Sequence, residues 1–93
     1  MTTTHRSHPV SERRFRAIRI LASLLLAISR GSHSVENRFR WLRLLVEALP
    51  LSTNHLSTAL NRINNGHRYL REGETGAALY ELELLLRGLA TFQ

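Results

Sequence analysis

Cysteine, lysine and aspartate are absent from the 93-residue sequence, and proline occurs only twice. Without cysteine, the chain has no disulfide framework, thiolate zinc site or cysteine nucleophile, and its composition fits a reducing compartment. Few prolines and 43% hydrophobic residues are typical of a globular chain rather than a disordered one. The length suits one compact domain and is too short for two.

A long hydrophobic run is also missing. The longest apolar stretch, from Ile20 to Ile28, is interrupted by Ser23 and is far shorter than the ~20 residues of a membrane-spanning helix. It ends in Ser29-Arg30-Gly31, and we expect no secretory signal. We therefore expect a cytoplasmic protein without a membrane span. An Arg-rich amphipathic helix lying on anionic lipid is an alternative.

Positive charge is concentrated in the first half of the chain. Residues 1–45 contain nine arginines and two glutamates, whereas residues 46–93 contain four arginines and five glutamates. Such an asymmetry predicts an acidic partner for the first half, either a nucleic acid or an acidic protein surface. A solvated Arg-rich face that only confers solubility is the simpler interpretation.

Apolar side chains recur at helical spacing in four segments, and no segment alternates with the period of a strand. Capping residues precede these segments, namely Ser11, Ser34, Ser52 and Thr75, and Pro50 ends the second one. The predicted helices span about residues 12–29, 35–49, 52–72 and 76–90. A break in the third helix at the weak helix formers Asn64-Asn65-Gly66 is the alternative. The fold class is therefore all-α: a small bundle or hairpin array over residues 11–93, preceded by a disordered tail over residues 1–10.

Each predicted helix carries an apolar stripe for the core. In the first helix the stripe consists of Phe15, Ile18, Leu21, Ala22, Leu25 and Ile28. Six large apolar side chains lie off the main stripes of the four helices: Ile20, Leu24, Trp41, Leu44, Tyr80 and Leu84. If these six form one exposed patch, they mark an interface with another protein or a second copy of the chain; if each is covered separately, this prediction loses its main support. Of these six, we predict Trp41, Leu44, Tyr80 and Leu84 to be partner-binding residues.

The last third of the chain resembles a tetratricopeptide-repeat hairpin. The resemblance rests on the order of small and large residues in GHRYLREGETGAALYELELLLRGL (66–89): Gly66, Tyr69, Gly73, Ala78 and Leu82. It implies a close helix pair that contributes to protein–protein recognition through a helical groove. The sequence departs from the family at Arg62 and Asn65, where a bulky aromatic and a leucine are usual, and it lacks the terminal proline. Arrays of this kind need at least three repeats, so an ordinary antiparallel helix pair is the alternative.

A second resemblance concerns DNA. Residues 42–63 have a helix–break–helix pattern, and LSTNHLSTALNRI (51–63) is similar to the recognition-helix region of AraC-type regulators. The resemblance implies that Asn54 and its neighbours Ser52, Thr53 and His55 read bases in the major groove and that Arg62 holds phosphate. Pro50 replaces the glycine usual in the turn. A non-specific nucleic-acid interface is also predicted from the basic side chains of the first two helices: Arg13, Arg14, Arg16, Arg19, Arg38, Arg40 and Arg43.

The one enzymatic hypothesis rests on Arg62 and His67. Their spacing resembles the Arg-x(4–6)-His motif of HEPN ribonucleases, which implies attack by an RNA 2′-hydroxyl on its neighbouring phosphate. An arginine and a histidine five positions apart are common by chance in a chain with 13 arginines and five histidines.

Metal and cofactor motifs do not occur in the sequence. His5 and His8 offer only two ligands, and there is no glycine-rich phosphate loop. The sequence thus predicts a non-enzymatic, self-associating helical module that binds another protein, without cofactor, metal or small-molecule ligand. A nucleic-acid-binding regulator is the alternative, and a ribonuclease is the third option.

Overall fold

The computed structural model describes the backbone of residues 9–91 and the side chains of residues 12–91. It contains four α-helices, α1 (Pro9–Ser29), α2 (Glu36–Glu47), α3 (Thr53–Arg71) and α4 (Thr75–Thr91), and no strand occurs between residues 9 and 91. The predicted all-α class is confirmed. No helix within the described range is both long and apolar enough to cross a membrane.

The helix boundaries lie close to the predicted ones, with differences at the N-termini of α1, α2 and α4. Thr75, predicted to cap the fourth helix, is the first residue of α4. The helix α1 begins at Pro9, three residues before the predicted start. Ser11 therefore lies within the first turn instead of capping the helix. Proline is well suited to a first turn, because a backbone N–H there would have no intrahelical partner. Residues 1–8 of the predicted tail lie outside the described residues. The N-cap of α2 is Val35 rather than Ser34, and it makes no side-chain cap hydrogen bond.

Glycines end two of the helices. Gly31 and Gly73 have φ of 71° and 79°, a left-handed conformation that glycine adopts without strain. At the end of α1, Ser32 N donates to Ala27 O at 2.9 Å and Gly31 N to Ile28 O at 3.0 Å. The same paired bonds recur after α3, from Glu74 and Gly73. Both turns are Schellman motifs, which reverse the chain while satisfying the last carbonyls of each helix.

The four helices form an up-and-down bundle. α1 packs against α2 and α4, α3 packs against α2 and α4, and the diagonal pairs do not meet in the described part of the chain. Cross-contacts give the direction: Ser23 of α1 meets Arg38 of α2, whereas Arg13, earlier in α1, reaches Ala48, just beyond the end of α2. Adjacent helices joined by short turns are therefore antiparallel.

The core lies on the inner faces of all four helices. Its buried side chains are Ala17, Leu21, Leu24, Ala27, Ile28, Val35, Phe39, Leu42, Val46, Leu49, Ala59, Ile63, Ala78, Leu82, Leu85 and Leu89. The predicted stripe of α1 is partly wrong, because Phe15 and Ala22 are exposed while Leu24, predicted to lie off the stripe, is completely buried. The buried face of α1 is centred on Leu21 and Leu24 because α2 and α4 flank it from both sides.

Candidate functional site

A groove of about 520 Å³ lies between α1 and α2. α1 contributes Arg16, Arg19, Ile20 and Ser23, and α2 contributes Trp41 and Leu45. The α1 positions follow the i, i+3, i+4, i+7 pattern and the two α2 positions are four residues apart, so each set lies on one side of its helix. The volume is within the range of about 300–1,000 Å³ that is usual for ligand sites.

The floor of the groove is apolar and its edge is aromatic. Ile20 and Leu45 are half-buried and pack against the core. Trp41 lines the groove with 57% of its surface exposed, and Leu44, one turn along α2, is 51% exposed. A tryptophan is among the most costly side chains to leave in water, because its apolar area is large. The groove therefore offers unburied apolar surface beside a floor that is already fixed by the core.

The charge of the groove is positive. Arg16 and Arg19 are exposed and line it, and none of the lining residues that the structure describes is acidic. Arg38 does not line the groove, but its Nε donates to Ser23 Oγ, a lining residue, at 2.9 Å, and its guanidinium also donates to Ser34 O. The arrangement is suited to a ligand that brings carboxylates together with apolar groups.

The other arginines of the predicted nucleic-acid set point elsewhere. Arg13 donates to Ala48 O at 3.4 Å, and Arg43 donates to Asn64 Oδ1 on α3 at 3.1 Å. Arg14 is half-buried and Arg40 is exposed outside the groove. Only Arg16 and Arg19 of the seven line this groove.

The predicted partner-binding residues are divided between two helices. Trp41 and Leu44 lie on α2, at or next to the groove, whereas Tyr80 and Leu84 lie on α4. The helices α2 and α4 are diagonal in the bundle and do not contact each other. Tyr80 is 62% exposed and Leu84 is half-buried. These four side chains therefore belong to two separate surfaces.

The ribonuclease-like pair is separated as well. Arg62 donates to Glu81 Oε1 of α4 at 3.1 Å. His67 lies on the α2 side of α3, where its Nε2 is 2.9 Å from Glu36 Oε1 and its ring stacks on Phe39 with centroids 4.4 Å apart. The structure thus places Arg62 and His67 against different helices. Of the residues predicted to read DNA, Asn54 is exposed in the first turn of α3, and Ser52 caps this helix by accepting from His55 N at 3.1 Å.

The glycine contact expected from the repeat-like hairpin is present. Gly66 is buried, and a Cβ built on it would lie 3.0 Å from Cγ and from Cδ2 of Leu82 on α4. Ala78 is also fully buried. The absence of a side chain at Gly66 therefore allows α3 and α4 to approach closely at Leu82, as the resemblance implied for Gly66.

The sequence pattern places Ile20 off the core stripe, and it places Arg16 and Arg19 in a basic region for a nucleic acid or an acidic protein surface. It does not identify Leu45, and it does not bring these residues together in one site. The pairing of α1 with α2 does so, because it places the arginines of one helix next to the tryptophan of the other. No cluster of three or more potential metal ligands occurs in the described part of the chain. Comparison of the chain with protein-family models, with curated proteins and with solved structures finds no match.

Proposed function

We propose that the protein is a non-enzymatic binding module that holds an acidic, amphipathic segment of another protein in the groove between α1 and α2. The observation that carries the proposal is Trp41, 57% exposed beside the apolar floor of a groove whose described lining residues include two arginines and no acid. Tryptophan and arginine are the side chains most enriched among the residues that dominate protein–protein binding energy.

The chemistry of the groove specifies the segment. Its apolar side chains would bury the free surface of Trp41 and cover Ile20 and Leu45, which supplies a hydrophobic contribution. Its carboxylates would accept charge-assisted hydrogen bonds from Arg16 and Arg19, whose guanidinium groups suit bidentate binding. A helical segment with acidic and apolar residues three or four positions apart presents both kinds of group on one side.

The positions of the arginines support a protein partner over a nucleic acid. A nucleic-acid interface needs many cations along one surface to neutralise successive phosphates. Here Arg13, Arg38 and Arg43 each hydrogen-bond within the chain, and Arg43 faces α3 rather than the groove. Two exposed arginines around an apolar floor are better matched to a short acidic segment.

Affinity capture from nuclease-treated cell extract tests the proposal. The wild-type chain should retain a protein that resists moderate salt, and both Arg16→Glu and Trp41→Ala should lose it. Adding the purified partner to the wild type should shift the fluorescence of Trp41, the only tryptophan, to shorter wavelength, because the partner removes it from water.

Two matched variants on α4 serve as controls. Arg87→Glu reverses an exposed arginine, and Tyr80→Ala removes an exposed aromatic ring; both should retain the partner. Recovery of nucleic acid alone, with a steep dependence on salt, would replace the proposal with nucleic-acid binding. Loss of the partner in Tyr80→Ala but not in Trp41→Ala would move the site to α4.

A further inference from the structure

The outer side of α1, which faces away from the core, carries a continuous stripe of exposed residues. The stripe consists of Glu12, Phe15, Arg19, Ala22, Leu26 and Arg30, each three or four residues after the one before, and all six are exposed. Arg30 follows the helix but continues its geometry, since Arg30 N donates to Leu26 O at 3.0 Å. The six side chains therefore lie along one side of a single helix; we call them the α1 stripe.

Two large apolar side chains of the α1 stripe are in water. Phe15 is 59% exposed and Leu26 is 51% exposed, with the small Ala22 between them. The guanidinium of Arg19 lies over the Phe15 ring, 5.8 Å from its centroid, and covers it only in part. Neither flanking helix covers this side, because α2 and α4 pack against other sides of α1.

The order of residues in the α1 stripe is self-complementary when a second copy runs in the opposite direction. Glu12 then lies opposite Arg30, Phe15 opposite Leu26, and Arg19 opposite Ala22. All three pairs have nearly the same midpoint, at residues 20 to 21, so one antiparallel register satisfies them together. In that register Glu12 of one copy faces Arg30 of the other at each end of the interface, and Phe15 faces Leu26 between the two ends. The aliphatic part of Arg19 crosses the small side chain of Ala22.

We propose that a second copy of this chain packs on the α1 stripe and forms a two-fold symmetric dimer with the two α1 helices antiparallel. A two-fold interface requires a surface that is complementary to itself, and the paired order of charge and apolar groups provides that complementarity. Each contact occurs twice: two Glu12–Arg30 ion pairs at the ends and two Phe15–Leu26 contacts inside.

This dimer is separate from the function proposed above. Arg16, Ile20 and Trp41 of the groove are not in the α1 stripe, and only Arg19 belongs to both surfaces. The variants used below avoid Arg19, so that failure of the dimer and failure of groove binding can be told apart.

The oligomeric mass is the first measurement. Sedimentation equilibrium from about 1 to about 100 µM covers the affinities expected of a small interface. We expect the wild type to approach twice the chain mass of 10.7 kDa. Leu26→Arg should raise the dissociation constant at least about tenfold, because it replaces both apolar Phe15–Leu26 contacts with a charged group that the interface would have to desolvate. Its circular dichroism should stay that of the wild type, since Leu26 is exposed.

Charge reversal then tests the register. Glu12→Arg and Arg30→Glu should each weaken the dimer by roughly three- to tenfold, because each puts like charges together at both ends of the interface. The double variant exchanges the two charges and should recover the wild-type affinity. No other antiparallel register of α1 predicts this recovery.

Cross-linking provides an independent test, since the chain contains no cysteine. Ala22→Cys places a thiol next to the two-fold axis and should form a disulfide-linked dimer under mild oxidation. Ser57→Cys, on the exposed side of α3, is the control and should not. A wild-type chain that stays monomeric throughout the range, or a dimer unaffected by Leu26→Arg and not linked through Ala22→Cys, would overturn the proposal.

Discussion

Replacing Gly66 with alanine adds one methyl group at the closest approach of α3 and α4. The new Cβ would lie 3.0 Å from both Cγ and Cδ2 of Leu82, whereas carbon atoms in ordinary contact are about 3.5–4.0 Å apart. Leu82 cannot move aside easily, because its side chain is completely buried in the core. The substitution must therefore push the two helices apart or force Leu82 out of its preferred rotamer.

Two opposing effects set the size of the change. Overpacking a close-packed core costs about 1–3 kcal/mol, while exchanging glycine for alanine inside a helix returns up to about 1 kcal/mol. We expect a net loss of up to about 2 kcal/mol in the free energy of unfolding. A Cβ added to Gly76, in the first turn of α4, would instead enter open space. Gly76→Ala should therefore stabilise the protein by about 0.4–1 kcal/mol, mainly by restricting the unfolded chain.

Urea unfolding followed by far-ultraviolet circular dichroism measures both free energies. All variants should be compared at one protein concentration, because association of the folded chain would make the apparent stability depend on concentration. The free energies of unfolding of the two alanine variants should differ by about 1–3 kcal/mol. This difference is the overpacking cost alone, because both variants gain from the exchange of glycine for alanine. Equal stabilisation by Gly66→Ala and Gly76→Ala would refute the close packing of Gly66 against Leu82.

Three further predictions test the core, a helix cap and the combination of the two proposed surfaces. Phe39→Ala should lose about 3–5 kcal/mol in the same urea assay, because Phe39 is completely buried under the ring of His67; a loss below about 1 kcal/mol would contradict that packing. Ser52→Ala should lose about 1 kcal/mol with the cap of α3, whereas Ser57→Ala, on the exposed side of the same helix, should lose nothing. A partner with two groove-binding segments should bind the wild type at least about 100-fold more tightly than one segment does, and Leu26→Arg should abolish this gain without changing the affinity for the single segment.

Much of the fold could be predicted from sequence because the local signals agree with the packing. Pro50 and the glycines Gly31 and Gly73 separate helices at the places where the chain must turn. The segment Asn64-Asn65-Gly66 is different: it is a weak helix former, yet α3 continues through it. Burial of Gly66 against Leu82 supplies the reason, because tertiary packing of one helix face outweighs local propensity.

The candidate groove could not be predicted in the same way. Its residues come from two helices, and which side of α1 meets α2 depends on the bundle as a whole. Spacing alone identifies Trp41 and Leu44 as apolar side chains outside the core, and Arg16 and Arg19 as part of a basic region. Their relation to each other requires the antiparallel pairing that places Arg38 against Ser23.

The error in the core stripe of α1 has a physical cause that also explains the two proposals. An amphipathic helix on the surface of a bundle needs one apolar side, with polar residues opposite. The helix α1 instead has buried leucines on its inner side, half-buried Ile20 on the groove side, and exposed Phe15 and Leu26 on its outer side. A single stripe cannot be assigned to such a helix from spacing alone. Apolar side chains therefore remain accessible to water on two sides of α1. A partner in the groove would cover one side, and a second copy of the chain on the α1 stripe would cover the other. For this reason we assign the groove and the α1 stripe to separate interfaces rather than to chance exposure.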